Sequence, residues 1–317
     1  MADSDGSESG ATTSGGLRIR RANRGSRRET LAVMLTGSAE GDGSAVDQFL
    51  HFAAQQKLTM DELWAAERDG RPVASALVMP NPGRTAMIFV SPVRSDSDVQ
   101  AVSATARSAC MGQNEKKIRL IQALLEPYQQ MERQALVEAG FTDLAQLLYM
   151  RCPLRGAGSP MKLDPSIEVR HWSRADEALF AEATIASYEQ TLDCPGLKGL
   201  RHIDDILAGH MASGVFHPDL WFALRCADEP VGVMLLNVVP PHNAVELVYL
   251  GLSSPWRGRG LGRQLVTHGL WAARSVDAEQ MVLAVDRINT PAVALYRSIG
   301  FTQTARKLAM VFTLPAG

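Results

Sequence analysis

The spacing of hydrophobic and polar residues in the C-terminal half predicts strands that alternate with helices. Runs rich in β-branched and aromatic residues, bounded by turn sequences, predict strands, and apolar residues at helical spacing predict helices. The predicted strands cover 167–172, 220–225, 231–239, 245–252, 281–285 and 304–312, and the predicted helices cover 176–188, 202–212, 262–275 and 290–298. The order β-α-α-β-β-β-α-β-α-β predicts an α/β (α+β) fold with helices on both faces of a sheet.

The N-terminal half repeats this pattern. The sequence LWAAER at 63–68 resembles LWFALR at 220–225, and GFT at 140–142 is identical to 300–302. Because the two offsets are 157 and 160 residues, each half is expected to form one domain. We predict a disordered Ser- and Gly-rich tail at 1–16, a first domain at 17–152, a Gly- and Pro-rich linker at 153–165 and a second domain at 166–317.

Composition and charge narrow the classes of function. The chain has 317 residues and a net charge of −2, which excludes a basic field over the whole protein for binding nucleic acid. Four scattered cysteines without CxxC or zinc-ligand spacing predict neither a disulfide framework nor a metal site, and they indicate a reducing, cytoplasmic environment. No apolar run reaches the roughly 18 residues that span a membrane. We therefore expect a cytoplasmic protein that binds neither nucleic acid nor a membrane.

A Gly- and Arg-rich turn at 257–263 is the sharpest chemical signal. It follows a predicted strand and precedes a predicted helix, and Gly258, Gly260 and Gly262 leave its backbone N–H groups open to a ligand. Such groups at a helix N-terminus are unpaired and lie at the positive end of the helix dipole, which suits a pyrophosphate. A tight turn without a ligand is the alternative. The segment is not a Walker loop, because no Gly-Lys-Ser/Thr follows.

Two motifs together resemble the GCN5-related N-acetyltransferase (GNAT) superfamily: Arg257-x-x-Gly260-x-Gly262, and Asn289 followed by Tyr296 and Gly300. The resemblance covers the C-terminal half and, more weakly, the N-terminal half. It implies two GNAT-like domains, each with a mixed, mostly antiparallel sheet flanked by helices, and acetyl-CoA as the co-substrate. The residues that it implies for acetyl-CoA are Leu250, Gly251, Leu252, Arg257, Gly258, Arg259, Gly260, Leu261, Gly262, Arg263 and Asn289.

The resemblance also implies a reaction, the direct transfer of an acetyl group to a primary amine in a ternary complex. The amine must lose a proton before it attacks. Glu246 lies eleven residues before Arg257, where members of the family carry a base, and on a two-residue period it would share a strand face with Leu250 and Leu252. Tyr296 matches the tyrosine that protonates the departing thiolate. A solvated glutamate and a core aromatic residue are the respective alternatives.

The amine acceptor, a small molecule or a peptide, is expected beside the loop 188–195. Asp193 and Glu189 are candidates to pair with a cationic amine, and ordinary exposed loop carboxylates are the alternative. The first domain has no glycines at the corresponding turn and carries Asp96 and Asp98, which would repel a pyrophosphate, so it is predicted to be a degenerate copy. A non-catalytic acyl-CoA-binding sensor or scaffold with the same fold is the competing function.

Overall fold

The computed structural model describes residues 11–13, 16–55, 58–156 and 158–315, which form two compact units. The units are Met1–Asp143 with Ala309–Gly317, and Leu144–Leu308. The division differs from the one predicted at 153–165, because residues 147–153 pair with 280–286 and so belong to the second unit. Within the predicted tail, Ala11–Thr13 forms a strand, whereas 1–10 and 14–15 lie outside the described residues.

The first unit has the element order that the repeat predicts. Its elements are β1 (Ala11–Thr13), β2 (Leu17–Arg21), α1 (Arg27–Thr36), α2 (Gly43–Gln55), β3 (Leu63–Arg68), β4 (Arg71–Asn81), β5 (Thr85–Val90), α3 (Asp96–Met111), β6 (Leu120–Leu125), α4 (Gln130–Ala139) and the start of β7 (Thr142–Pro153). The strands β1 to β6 are neighbours in chain order. Their pairing is antiparallel except between β5 and β6, which are parallel.

The second unit repeats this order. After β7 come β8 (Ile167–His171), α5 (Glu177–Ser187), α6 (Ile203–Met211), β9 (Val215–Cys226), β10 (Glu229–Val239), β11 (Ala244–Leu252), α7 (Leu261–Ala272), β12 (Gln280–Asp286), α8 (Thr290–Ile299) and β13 (Thr302–Thr313). The strand order is β13-β7-β12-β11-β10-β9-β8, with β11 and β12 parallel. The predicted mixed, mostly antiparallel sheet flanked by helices is confirmed.

Two hydrophobic clusters cover the two faces of the second sheet. One contains Leu265, Val266 and Leu270 of α7 with Val293 and Tyr296 of α8. The other packs Phe180 of α5 and Leu207 of α6 against the sheet, with Trp221 fully buried among them. Each helix therefore buries one apolar stripe, as the helical spacing predicts. Within the described ranges, no helix is long and apolar enough to cross a membrane.

Candidate active site

The parallel strands β11 and β12 separate part-way along their length. They pair only from Ala244 opposite Gln280 to Glu246 opposite Val282, although both strands continue beyond these residues. A cleft with a cavity volume of about 390 Å³ opens where pairing stops. It is lined by residues 247–250 and Leu252 of β11, Ala284 and Val285 of β12, the start of α7 and one side of α8. The cleft-facing edge of β11 thus offers backbone N–H and C=O groups that β12 does not hydrogen-bond.

The Gly-rich turn closes one end of this cleft. Gly258 and Gly260 have φ values of +72° and +81°, and a Cβ added at either position would meet nothing within 4 Å. Gly260 is the N-cap of α7, and no described side chain caps this helix. The first N–H groups of α7 therefore remain available to an anion at the positive end of the helix dipole. Gly258, Gly260 and Gly262 all line the cleft, and that they hold a pyrophosphate stays a prediction.

The three arginines of the turn have different surroundings. Arg257 lines the cleft, but its guanidinium donates to the backbone oxygens of Leu252 and Ser187, at 2.9 and 2.8 Å. Arg263 also lines the cleft and donates to Ser298. Arg259 is exposed over the ring of Trp256, outside the residues that line the cleft. Arg257 accordingly fixes the end of α5 to the end of β11, and Arg263 is a second cation that lines the cleft.

A bulge in β11 sets which side chains face the cleft. Leu235 lies opposite Tyr249 and Leu236 opposite Leu247, so Val248 is an extra residue in the ladder. Beyond the bulge, Leu250 and Leu252 pack with the core of α7 and α8, whereas Val248 and Tyr249 pack with that of α5 and α6. Leu250 and Leu252 line the cleft, and Gly251 and Leu261 are buried beside it.

Glu246 lies before the bulge and on the side of α6. Its carboxylate accepts a hydrogen bond from the hydroxyl of Ser213, which follows α6, at 3.0 Å. Burial raises the pKa of Glu246, and the bond from Ser213 offsets part of that rise. The expected strand face shared with Leu250 and Leu252 is wrong, because the bulge interrupts the two-residue alternation. Glu246 lies outside the residues that line the cleft.

Tyr296 projects from α8 into the wall of the cleft. Its side chain is 7% exposed, packs against Phe301 at 5.5 Å between ring centroids, and lines the cleft. Burial, with a smaller contribution from Asp193, raises the pKa of its hydroxyl. The hydroxyl therefore keeps its proton at neutral pH, as a proton donor must. Tyr296 is both a core aromatic residue and a cleft residue.

Asp193 anchors the acceptor loop. Its carboxylate accepts the backbone N–H of Asp286 at 3.1 Å and a hydrogen bond from the Asn289 side chain, and burial raises its pKa. In return, the Asp286 carboxylate accepts the N–H of Cys194. Asn289 also caps α8 by accepting the N–H of Ala292, and it lines the cleft. Of the two predicted acceptor residues, Asp193 thus lies in the cleft wall.

A second cavity, of about 190 Å³, adjoins the cleft. The two share Asp193, Val248 and Tyr249 as lining residues. Its other lining residues come from the loop 188–201 and from α6: Tyr188, Thr191, Cys194, Leu197, Lys198, Gly199, Arg201, Ile206 and His210. The sequence predicts the acceptor in this region. Glu189 is exposed and lies outside the lining of both cavities.

Close packing beneath the cavities depends on Gly251. A Cβ at this position would lie 2.3 Å from the hydroxyl of Ser187 and 2.8 Å from that of Tyr249, which are hydrogen-bonded to each other at 2.7 Å. We predict that Gly251→Ala lowers the free energy of unfolding by about 1–3 kcal/mol through overpacking. Urea unfolding of the full chain measures this change. Gly43→Ala is the control, because its Cβ would meet only Arg28 at 3.9 Å; equal losses in both variants would contradict the prediction.

Comparison with known proteins shows which family the cleft-bearing part of the chain matches. Residues 190–301 match the acetyltransferase (GNAT) family. The second unit therefore contains a segment of the GNAT family. The chain is 38% identical over 174 residues to a mycothiol acetyltransferase from Geodermatophilus obscurus, a match that covers 52% of this chain and 55% of that protein. The matched segments span between about a fifth and about half of the length of the curated relatives.

Solved structures extend the likeness to both units. A GCN5-related N-acetyltransferase from Sphaerobacter thermophilus has a TM-score of 0.59 at 15% identity, covering 96% of this chain and 98% of that one. A tandem GNAT protein from the clavulanic acid biosynthesis pathway has a TM-score of 0.51 at 13% identity, covering 95% and 100%. At these identities the likeness concerns the fold. The two-unit architecture is similar to that of mycothiol synthase.

The first GNAT-like unit differs at the turn that precedes its equivalent of α7. Here the N-terminus of α3 is capped by Ser95, whose hydroxyl accepts the N–H of Asp98, and the Asp98 carboxylate accepts the N–H of Arg94 at 3.0 Å. The buried carboxylate of Glu132 accepts the N–H of Val93 at 3.2 Å. In this unit, side-chain oxygens of the protein therefore accept hydrogen bonds from backbone N–H groups near the helix N-terminus. In the second unit, the N–H groups at the start of α7 remain available. That this unit is a degenerate copy stays a prediction, and this difference supports it.

Proposed function

We propose that the second unit is an acetyl-CoA-dependent N-acetyltransferase that acts on a small-molecule primary amine. One observation carries the proposal: the cleft between β11 and β12 runs from an uncapped helix N-terminus to a second, separate cavity. The first feature suits an extended ligand that ends in a phosphate, and the second provides room for an acceptor. A non-catalytic acyl-CoA sensor would have no use for the adjoining cavity. The mycothiol acetyltransferases among the relatives support a small acceptor.

The residues of the cleft fit acetyl-CoA. The open N–H groups at Gly258, Gly260 and Gly262, with Arg263 beside them, would hold the pyrophosphate. The edge of β11 that β12 leaves unpaired, beside Leu250 and Leu252, would hold the pantetheine arm in the manner of an added strand. Asn289 lines the same cleft from α8. Among the described residues, no group of three or more His, Cys, Asp and Glu is placed to hold a metal ion.

Glu246 and Tyr296 would carry the proton transfers. Acetyl-CoA supplies an acetyl thioester, whose carbonyl carbon becomes bonded to the amine nitrogen as its bond to sulfur breaks. Glu246 would take the proton that the amine loses, through a water molecule, since it lies outside the lining of both cavities. Tyr296 would give its proton to the sulfur and regain one from solvent. The raised pKa values of both groups suit these roles.

Direct transfer is favoured over an acetylated cysteine. Cys194 is the cysteine that lines the acceptor cavity. Burial, together with the charges of Asp193 and Asp286, raises its pKa to about 12. The thiol is therefore protonated at neutral pH, and the thiolate is the nucleophilic form. A ternary complex in which the amine itself attacks requires no such thiolate.

Initial-rate kinetics with acetyl-CoA and a panel of primary amines test the proposed function. Thiol release is measured while both concentrations are varied. We expect turnover with at least one amine and double-reciprocal lines that intersect, as a ternary complex requires. Parallel lines would indicate an acetylated enzyme and contradict direct transfer. Acetyl-CoA binding without turnover of any amine would favour the sensor.

The hydrogen bond from Ser213 provides a test of the base. Because this bond lowers the pKa of Glu246, Ser213→Ala should raise that pKa. A base must be ionised to act, so the acid limb of the kcat profile should move to higher pH, by up to about one pH unit. Ser275→Ala is the control, since its hydroxyl only bonds Ala272 at the end of α7. An acid limb that does not move would exclude Glu246 as the titrating base.

A further inference from the structure

The acceptor cavity has one end at the cleft and another end away from it. Asp193, Val248 and Tyr249 line both cavities and so mark the junction. Arg201, Ile206 and His210 line the acceptor cavity alone. An acceptor whose amine reaches the cleft therefore places the rest of the molecule against this second group. The cavity has a volume of about 190 Å³, which suits a small molecule.

The far end of the cavity carries positive charge. Arg201 donates one N–H to the backbone oxygen of Asp205, but its Nε is buried and has no hydrogen-bond partner among the described residues. Lys198 is the second cation that lines the cavity. Burial lowers the pKa of Arg201, and the opposing effect of Tyr188 and Asp205 is smaller. The cost of desolvating this guanidinium is therefore only partly offset. An anion in the cavity, beside this guanidinium, would offset more of that desolvation.

The other polar groups that line this end of the cavity add no negative charge, and the carboxylate of Asp205, which also acts on Arg201, lies outside the lining. His210 stacks on Tyr249, and burial together with the charge of Arg201 lowers its pKa to about 4, so its imidazole is neutral at neutral pH. Its Nε2 is buried and has no partner among the described residues. Burial raises the pKa of Tyr188 to about 12, so its hydroxyl is protonated. The cavity's own carboxylate, Asp193, is at the junction and is already hydrogen-bonded to Asp286 and Asn289.

We infer that the acceptor is a small amine that also carries a carboxylate, bound at the far end by Arg201 and Lys198 with its amine at the junction. This inference rests on the proposed function and specifies its substrate class. A guanidinium matches a carboxylate because its N–H groups form a planar fork. The carboxylate at the far end would then fix the distance between the amine and the cleft.

Matched pairs of amines test the inference with the full chain. Glycine, β-alanine and 4-aminobutyrate are each compared with the corresponding amide, which keeps the amine and removes the charge. Rates of thiol release from acetyl-CoA are expressed per concentration of unprotonated amine. For at least one pair we expect kcat/KM to be about 10–100-fold higher for the carboxylate, the effect of one charge-assisted hydrogen-bonded pair.

Arg201→Gln should reduce this preference to about twofold or less, because kcat/KM falls more for the carboxylate than for the amide. Equilibrium dialysis against acetyl-CoA, which binds in the cleft and not in the acceptor cavity, reports that the variant remains folded. Arg170→Gln is the control, because Arg170 is an exposed arginine of the same unit that pairs with Glu168. A preference for the amide, or one that Arg201→Gln leaves intact, would overturn the inference and leave the proposed function standing. Absence of turnover with every amine, charged or neutral, would remove both.

Discussion

Replacing Gly260 by aspartate is expected to weaken the binding of acetyl-CoA by at least ~100-fold. The new carboxylate would lie at the N-terminus of α7, where the proposed pyrophosphate accepts backbone N–H groups. Two charge-assisted hydrogen bonds lost there cost about 3–6 kcal/mol, and repulsion between like charges adds to this. Equilibrium dialysis of the variant against acetyl-CoA measures the change.

Gly70→Asp is the matched control for this variant. Gly70 has a φ of +77°, against +81° for Gly260, and a Cβ at either position would meet nothing within 4 Å. Both substitutions therefore introduce the same left-handed backbone strain, of order ~1 kcal/mol, and the same charge. Only Gly260 lies in the cleft. An equal loss of binding in the two variants would show that strain, and not the anion site, causes it.

Glu246→Gln is expected to lower kcat by about 10²–10⁴-fold, the contribution of a positioned general base. The amide has nearly the same shape and can still bond Ser213, so the affinity for acetyl-CoA should remain unchanged. Because burial raises the pKa of Glu246, the wild-type kcat should rise with pH through a midpoint above the ordinary range of glutamate. The variant should lose this acid limb. Steady-state kinetics across pH measures both effects.

Glu229→Gln serves as the control, since Glu229 is exposed at the start of the neighbouring strand β10. It removes the same charge from the same sheet without touching the cleft or the acceptor cavity. A kcat for Glu246→Gln within about threefold of that of the control would reject Glu246 as the base. In that case the neutral imidazole of His210, which lines the acceptor cavity, is the next group to test.

Much of the fold follows from local sequence. Runs rich in β-branched and aromatic residues predict β9 to β12, and helical spacing predicts α8, which the Asn289 side chain caps. The boundary between the units was not predictable from composition. It depends on the pairing of 147–153 with 280–286, a contact between distant parts of the chain that local propensity does not encode.

The residues that line the cleft could be predicted from the sequence, whereas those that line the acceptor cavity could not. Glycines after a strand and before a helix have a local physical meaning, so Gly258, Gly260 and Gly262 could be placed. Arg201 and His210 lie in a loop and a short helix without a motif, and their shared cavity arises from tertiary packing. The bulge at Val248 leaves no clear mark in the sequence, and it alone moves Glu246 to the other face.

Calorimetric titration of acetyl-CoA into the full wild-type chain tests the central claim most directly. The open N-terminus of α7 and the capped N-terminus of α3 predict one binding site per chain. A stoichiometry near one is the expected result. A stoichiometry near two would show that the first unit also binds acetyl-CoA despite Ser95, Asp98 and Glu132. No heat of binding at any concentration tested would contradict the acetyltransferase function itself.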